Sequence, residues 1–298
     1  MILRGITMNY TKKFTVAFFT TALFLSSPVQ AKNVTWTGCG ISKKAYVTEL
    51  AKAFDKKYNI KVEVSGGGAT KGIRNVATSK SDIGGSCRHL LNVDEEKGVT
   101  LHPVGWDALV AIVNKSNPVK NISLENLKSV FEGKITNWKE LGGEDAPIVT
   151  VVRKGKISGV GRMVRELLFA DPDKDFSDNA IVFKSSGPVE KSAEKEKNVI
   201  AMTGISSGRK RNVNFLSVDG HEPSYENIAS GKYAFFRPLY LTAGKNTSAE
   251  GKKFIKFAKS KEGQAVIKAQ ETVTLKDGRN LWKPYKTKMK KARQEGNF

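Results

Sequence analysis

The sequence predicts an α/β protein, and three observations predict it. Short apolar runs of strand character alternate with segments of helical spacing along the chain. Three times, a glycine-containing turn carries a strand into a helix. The chain runs to 298 residues, 39% of them hydrophobic, with no internal repeat or low-complexity tract, enough to bury two separate cores.

Taken in order, Val34-Thr-Trp-Thr37 reads as the first strand, and residues 42–57 place Tyr46, Leu50, Ala53 and Phe54 at helical spacing. Ile60, Val62 and Val64 alternate as in a half-buried strand. Gly66-Gly-Gly68 then breaks the chain before a helix over 70–78. Asp82-Ile-Gly84 is a brief strand and 107–114 a more apolar one. Ser123 opens a helix through Phe131, 148–152 is a strand, and 159–169 a helix. Strands follow over 199–203, 213–218 and, despite Pro238, 233–242. Thr247-x-x-Glu250 reads as a capping box ahead of Phe254, Phe257 and Ala258. The tail from Trp282, with Lys283, Lys286, Lys288, Lys290, Lys291 and Arg293, reads as a basic helix with a solvated face or as a frayed end.

Residues 1–31 read as a cleavable export signal. Arg4, Lys12 and Lys13 precede an apolar run from Phe14 to Leu25, and Ser26-Ser-Pro-Val-Gln-Ala31 supplies a small-residue exit. The run is too short to span a bilayer comfortably. The mature chain is expected to begin near Lys32, in the periplasm, where disulfides are permissible. The two cysteines, Cys39 and Cys87, lack a lipoprotein context. Formal charge is +21, and the leader holds three basic residues and no acidic one, leaving +18 for the rest. Such a field gathers anions at a cleft. It would equally suit acidic cell-envelope polymers, the reading as a surface adhesin or non-transport anion sensor. Zinc-ligand spacing and RNA-recognition motifs are missing, so nucleic acid is not implied.

The three turns are Thr37-Gly-Cys-Gly-Ile-Ser42, Gly66-Gly-Gly-Ala-Thr-Lys-Gly72 and Ser158-Gly-Val-Gly161. Glycine lets backbone approach a bound group, and the free N–H donors of a helix start attract negative charge. Hydroxyls at Ser42, Thr70 and Ser158 could add donors. Dinucleotide and nucleoside-triphosphate fingerprints do not fit. Cys87 with His89 is too short a signature for a thiol nucleophile or a metal site, and His102 and His221 suggest no cluster. The reading is therefore of a binding protein with no catalytic residues, metal or cofactor. Asp82 is expected to cap or bind backbone, and Trp106 and Trp138 to pack.

The runs Val110-Ala-Ile-Val-Asn-Lys-Ser-Asn-Pro, Leu127-Lys-Ser-Val-Phe-Glu-Gly-Lys-Ile-Thr-Asn-Trp138, Glu226-Asn-Ile-Ala-Ser-Gly-Lys-Tyr and Glu262-Gly-Gln-Ala-Val-Ile-Lys268 resemble the phosphate-binding proteins of bacterial ABC transporters. The similarity covers essentially the whole mature chain. It implies the two-lobed type II periplasmic-binding-protein fold, each lobe a mixed sheet flanked by helices, joined by two crossover strands. Lobe 1 would hold 32–112 and 236–298, and lobe 2 113–235. It implies a monomer that closes on a small inorganic oxyanion, phosphate first, and delivers it to an inner-membrane permease with its ATPase. Carried onto this chain, the site comprises Ser42 with the Lys43 amide, Gly68 and Ala69 with Thr70 beside them, Cys87 and Arg88, Arg153, and Ser158-Gly159-Val160. Several positions depart from the family. Ala69 and Val160 lack the usual hydroxyls, Cys87 stands where the family has Asp or Ser, and Arg153 lies one residue further from its serine. Arg162 and Arg165 could replace lost hydrogen bonds with charge-assisted ones. The resemblance also sets the Cys39 and Cys87 loops side by side, implying a disulfide next to the ligand.

Overall fold

The computed structural model describes residues 1, 2, 5 and 33–295. The expected export signal lies almost wholly outside the described residues. Eleven strands are described: β1 (Val34–Gly38), β2 (Val62–Ser65), β3 (Ile83–Ser86), β4 (Thr100–Asn114), β5 (Asn121–Ile122), β6 (Val149–Arg153), β7 (Ile181–Phe183), β8 (Val199–Gly204), β9 (Val213–Phe215), β10 (Ser217–Val218) and β11 (Phe236–Ala243). The helices are α1 (Gly40–Ser42), which runs through a π-helical stretch at Lys43–Val47 into α2 (Thr48–Tyr58), then α3 (Ala69–Ala77), α4 (Leu124–Phe131), α5 (Gly159–Val164), α6 (Ser186–Lys195), α7 (Ile205–Gly208), α8 (Tyr225–Ser230), α9 (Ala249–Lys259), α10 (Lys261–Ala269) and α11 (Trp282–Glu295). The predicted α/β class is the observed one.

One mixed sheet runs in the order β2-β1-β3-β11-β4-β8-β6-β7, with β9 on β4, and β5 pairs with β10 apart from it. The long strand β4 changes partner midway: Thr100–Ala108 lie against β11, and Leu109–Val113 against β8. Val104 to Val113 are all buried, as a strand covered on both faces must be. The sequence showed only its apolar half, because Thr100 to Pro103 are partly exposed and carry no alternation.

Pro238 sits in β11 without breaking it. Its register partner Trp106 donates its N–H to Val273 O at 2.8 Å and accepts Val273 N at 3.2 Å, so nothing is asked of the missing proline N–H. The register shifts just beyond, between Leu239 and Tyr240. The capping box was read one residue early. Ser248, not Thr247, caps α9 by accepting Gly251 N, while the Thr247 hydroxyl accepts Gly244 N and donates to Asp82 O. Asp82 holds that cap in turn, accepting Ser248 N and its hydroxyl at 2.7 Å each. The tail forms α11, not a frayed end. Tyr285, Met289 and Ala292 are buried at helical spacing, while Lys283, Lys286, Lys290 and Arg293 stay exposed. Trp106 and Trp138 pack as expected: the Trp106 ring lies 4.5 Å from Trp282, and Trp138 Nε1 donates to Asn198 O at 3.0 Å. Among the described residues, no helix is long and apolar enough to cross a membrane.

Candidate functional site

Two sets of parallel strand ends face one cavity of about 290 Å³. β1 pairs in parallel with β2 and β3, and β6 pairs in parallel with β7 and β8. Each set therefore discharges its turns at a single edge, the place where α/β sheets bind ligands. From the first set come Cys39-Gly40-Ile41, Gly66 to Ala69 and Cys87; from the second come Arg153, Gly159-Val160, Lys184 to Gly187 and Ser207. The three glycine turns do converge.

The convergence is tight on one side. A Cβ on Gly159 would lie 2.5 Å from Cys87 Sγ and 2.9 Å from the Ala69 methyl. Arg237, fully buried on β11, sits beneath the junction. It pairs with Asp107 at 3.1 Å and reaches Cys87 O at 3.4 Å and Gly159 O at 3.5 Å. Asp107 is itself fixed by the Ser206 amide and hydroxyl. Gly68 takes φ 91°, a conformation open to glycine alone, and its N–H binds Gly38 O.

The cavity's charged groups are all donors. α3 and α6 both start at its wall, and neither start is capped by a side chain. Arg153 donates one Nη1 bond to Phe183 O, while its buried Nε has no partner. Burial lowers the Arg153 pKa from its usual value, yet an arginine keeps its proton. Lys44 and Lys184 complete three cations, and no carboxylate lines the cavity among the described residues. Lys44 is engaged already, donating to the Ser207 hydroxyl at 2.7 Å and to the buried Glu190 at 3.4 Å.

Of the residues expected to contact ligand, Gly68, Ala69, Cys87, Arg153, Gly159 and Val160 line the cavity. The others do not. Ser42 is fully buried, its amide and hydroxyl turned to Cys39 Sγ at 3.3 and 3.1 Å. The Lys43 amide donates to Cys39 O at 3.0 Å within the helix, and the Lys44 side chain, one residue on, lines the cavity. Thr70 donates to Ile157 O at 2.8 Å. Ser158 caps α5, accepting Gly161 N at 3.1 Å. Arg88 is fully buried against Glu96, at 2.6 and 3.0 Å, and donates also to Ile157 O, His89 O and Thr70 Oγ1. The guanidinium is thus spent on loop structure. Arg162 is ion-paired with Glu166 at 2.6 Å, and Arg165 donates to Lys174 O and Gly161 O. His89 Nε2 lies 3.3 Å from the Glu166 carboxylate. Cys39 and Cys87 are free buried thiols, not the disulfide the resemblance implied, and they follow the paired ends of β1 and β3, where Gly38 lies opposite Gly85.

Sequence reasoning missed Lys184, Ser185, Ser186 and Gly187, and with them α6. A signal was present. Ser185 precedes a first turn that contains Pro188, a residue whose missing N–H costs nothing there.

The PBP superfamily domain matches residues 30–262. A relative in Borreliella burgdorferi, the phosphate-binding protein PstS, is 29% identical over 227 residues, covering 73% of this chain and 81% of its own. The PstS of Bacillus subtilis is 27% identical over 241 residues, 79% of this chain and 78% of its own. The crystal structure, with bound phosphate, of a Clostridium perfringens protein described as a phosphate ABC transporter substrate-binding protein is similar over 82% of this chain and 99% of that one, with TM-score 0.76 and 30% identity.

Proposed function

The chain belongs to the PBP superfamily, and from that premise we propose that it is a periplasmic solute-binding protein that captures phosphate for an ABC importer. One observation carries the ligand class: a closed-in cavity that offers two uncapped helix starts and the free Arg153 Nε, with no carboxylate in its lining. Such a site stabilises a dehydrated oxyanion by charge-assisted hydrogen bonds. Ala69, Val160 and Cys87 withhold hydroxyls, so recognition falls on backbone amides, on Arg153 and on the Ser185 and Ser186 hydroxyls of the α6 start.

The mechanism is capture by closure. Residues 32–112 with 236–298 form one lobe and 113–235 the other, and β4 and β11 cross between them. The anion enters an open form; closure brings the turns after β1, β2 and β3 onto those after β6, β7 and β8. The closed monomer then presents both lobes to an inner-membrane permease. No bond is made or broken.

The test is a thermal-shift and calorimetric screen of the mature chain against phosphate, sulfate, arsenate, molybdate and phosphonates at fixed ionic strength. Phosphate should raise the melting temperature, since a ligand that binds only the native state stabilises it. No response to any of these anions, with salt-sensitive binding to lipopolysaccharide instead, would overturn the reading in favour of an adhesin.

A further inference from the structure

The two cysteines do something the receptor role does not require. Both thiols line the cavity and both are nearly inaccessible from elsewhere; they sit just past the paired ends of β1 and β3, where Cys39 N donates to Gly85 O at 3.2 Å. Cys39 Sγ accepts the Ser42 amide at 3.3 Å at the helix start. We propose that Cys39 and Cys87 are a reversible dithiol–disulfide pair built into the cavity wall, and that their oxidation state sets how strongly the cavity holds its anion. This rests on the reading of the cavity as an oxyanion site.

The chemistry balances with a small hydroperoxide as oxidant. The Cys39 thiolate attacks the peroxide oxygen, giving a sulfenic acid and releasing water or alcohol. The Cys87 thiol then attacks that sulfur, forming the S–S bond and expelling water. Two thiols are oxidised by two electrons, one peroxide bond is reduced, and a small dithiol reverses the change. Only a small reagent fits, because access is through the cavity.

The groups around the pair supply the coupling. Burial pushes the Cys39 pKa up, but hydrogen bonds from Cys87 and Ser42 and the charge of Arg237 prevail and bring it down to about 7. The hydrogen bond to Cys39, then burial, raises Cys87. The charged and titratable groups around the sulfurs are Arg237, which donates to Cys87 O and pairs with Asp107, Arg153 and Lys44, which line the same cavity, and Tyr46, whose hydroxyl donates to Tyr240 O. Above neutral pH the reduced protein therefore places a thiolate beside its anionic guest. Oxidation deletes that charge. By linkage, a bound anion disfavours the thiolate and shields the pair from peroxide.

The experiment compares the full mature chain reduced with a dithiol and oxidised with hydrogen peroxide, using inorganic phosphate as probe. Intact mass should show loss of two hydrogens and of both free thiols. Calorimetry should find the oxidised form binding about tenfold more tightly than the reduced form at about pH 8.5, narrowing to about twofold at about pH 6. The oxidised form controls for phosphate's own titration. Cys39→Ser, which keeps a cap at that position, should lose the peroxide response. Sulfinic acid without a bridge, or equal affinities of the two forms at the higher pH, would overturn the switch and leave the receptor reading standing. Failure of phosphate, sulfate and arsenate to bind either form would overturn both.

Discussion

The cavity's two walls are built alike and equipped differently. Each hangs on three parallel strand ends, β1 to β3 on one side and β6 to β8 on the other. The first offers glycine backbone, a methyl and two thiols, and its one cation, Lys44, is tied to Ser207 and Glu190. The second offers the uncapped start of α6 with Ser185 and Ser186, and adds Arg153 and the exposed Lys184. The first wall is fixed by the fold, so its amides cost little ordering when an anion arrives. The second adds to its α6 amides two long side chains that must be immobilised. Shape should therefore depend on the first wall and charge on the second, with the Arg237–Asp107 pair holding the two together from below.

Three substitutions break or sharpen that contrast. The largest effect is expected from Gly68→Val. At φ 91° a β-branched residue is strained, so the turn must move and the uncapped start of α3 with it. Calorimetry should show phosphate affinity falling by about 100-fold, the equivalent of roughly 2.7 kcal/mol; unchanged binding would mean that this wall is not the rigid one. Arg153→Ala comes next. Removing a charge-assisted donor should weaken binding by about ten- to thirtyfold with little change in melting temperature. A large loss of stability would show that Arg153 serves β6 and β7 more than the ligand. Lys184→Ala should cost least, about threefold at low salt and nearly nothing at high salt, because an exposed lysine acts through a screened field. A salt-independent loss would place Lys184 in direct contact.

The position of the first wall was legible in the sequence because its signals are local. Strand, glycine turn and helix follow one another within a dozen residues at Val34 to Ser42 and again at Val62 to Thr70. The second wall was half legible: Ser158-Gly-Val-Gly marked α5, but β7 is three residues long and half exposed, with Ile181 at 46% and Val182 at 54%. No periodicity survives in so short an edge strand, and Lys184 to Gly187 went unseen behind it. Arg88 was misjudged for another reason. An arginine beside a cleft and an arginine buried against Glu96 look the same in one dimension, since the partner lies eight residues away in a short 3₁₀ turn at Asp94–Glu96.

The sequence by itself determined the α/β class, most of the strands and helices, the anion-seeking charge and the three glycine turns, because each is written in neighbouring residues. Tertiary structure alone decided which turns meet, that the Lys44 side chain lines the cavity while the Lys43 amide stays bonded in its helix, and that the hydroxyls of Ser42, Thr70 and Ser158 turn to protein partners rather than to the cavity. It also decided that two thiols 48 positions apart line one cavity. Those outcomes depend on sheet order and helix rotation, which pair residues distant in sequence, and no local pattern specifies them.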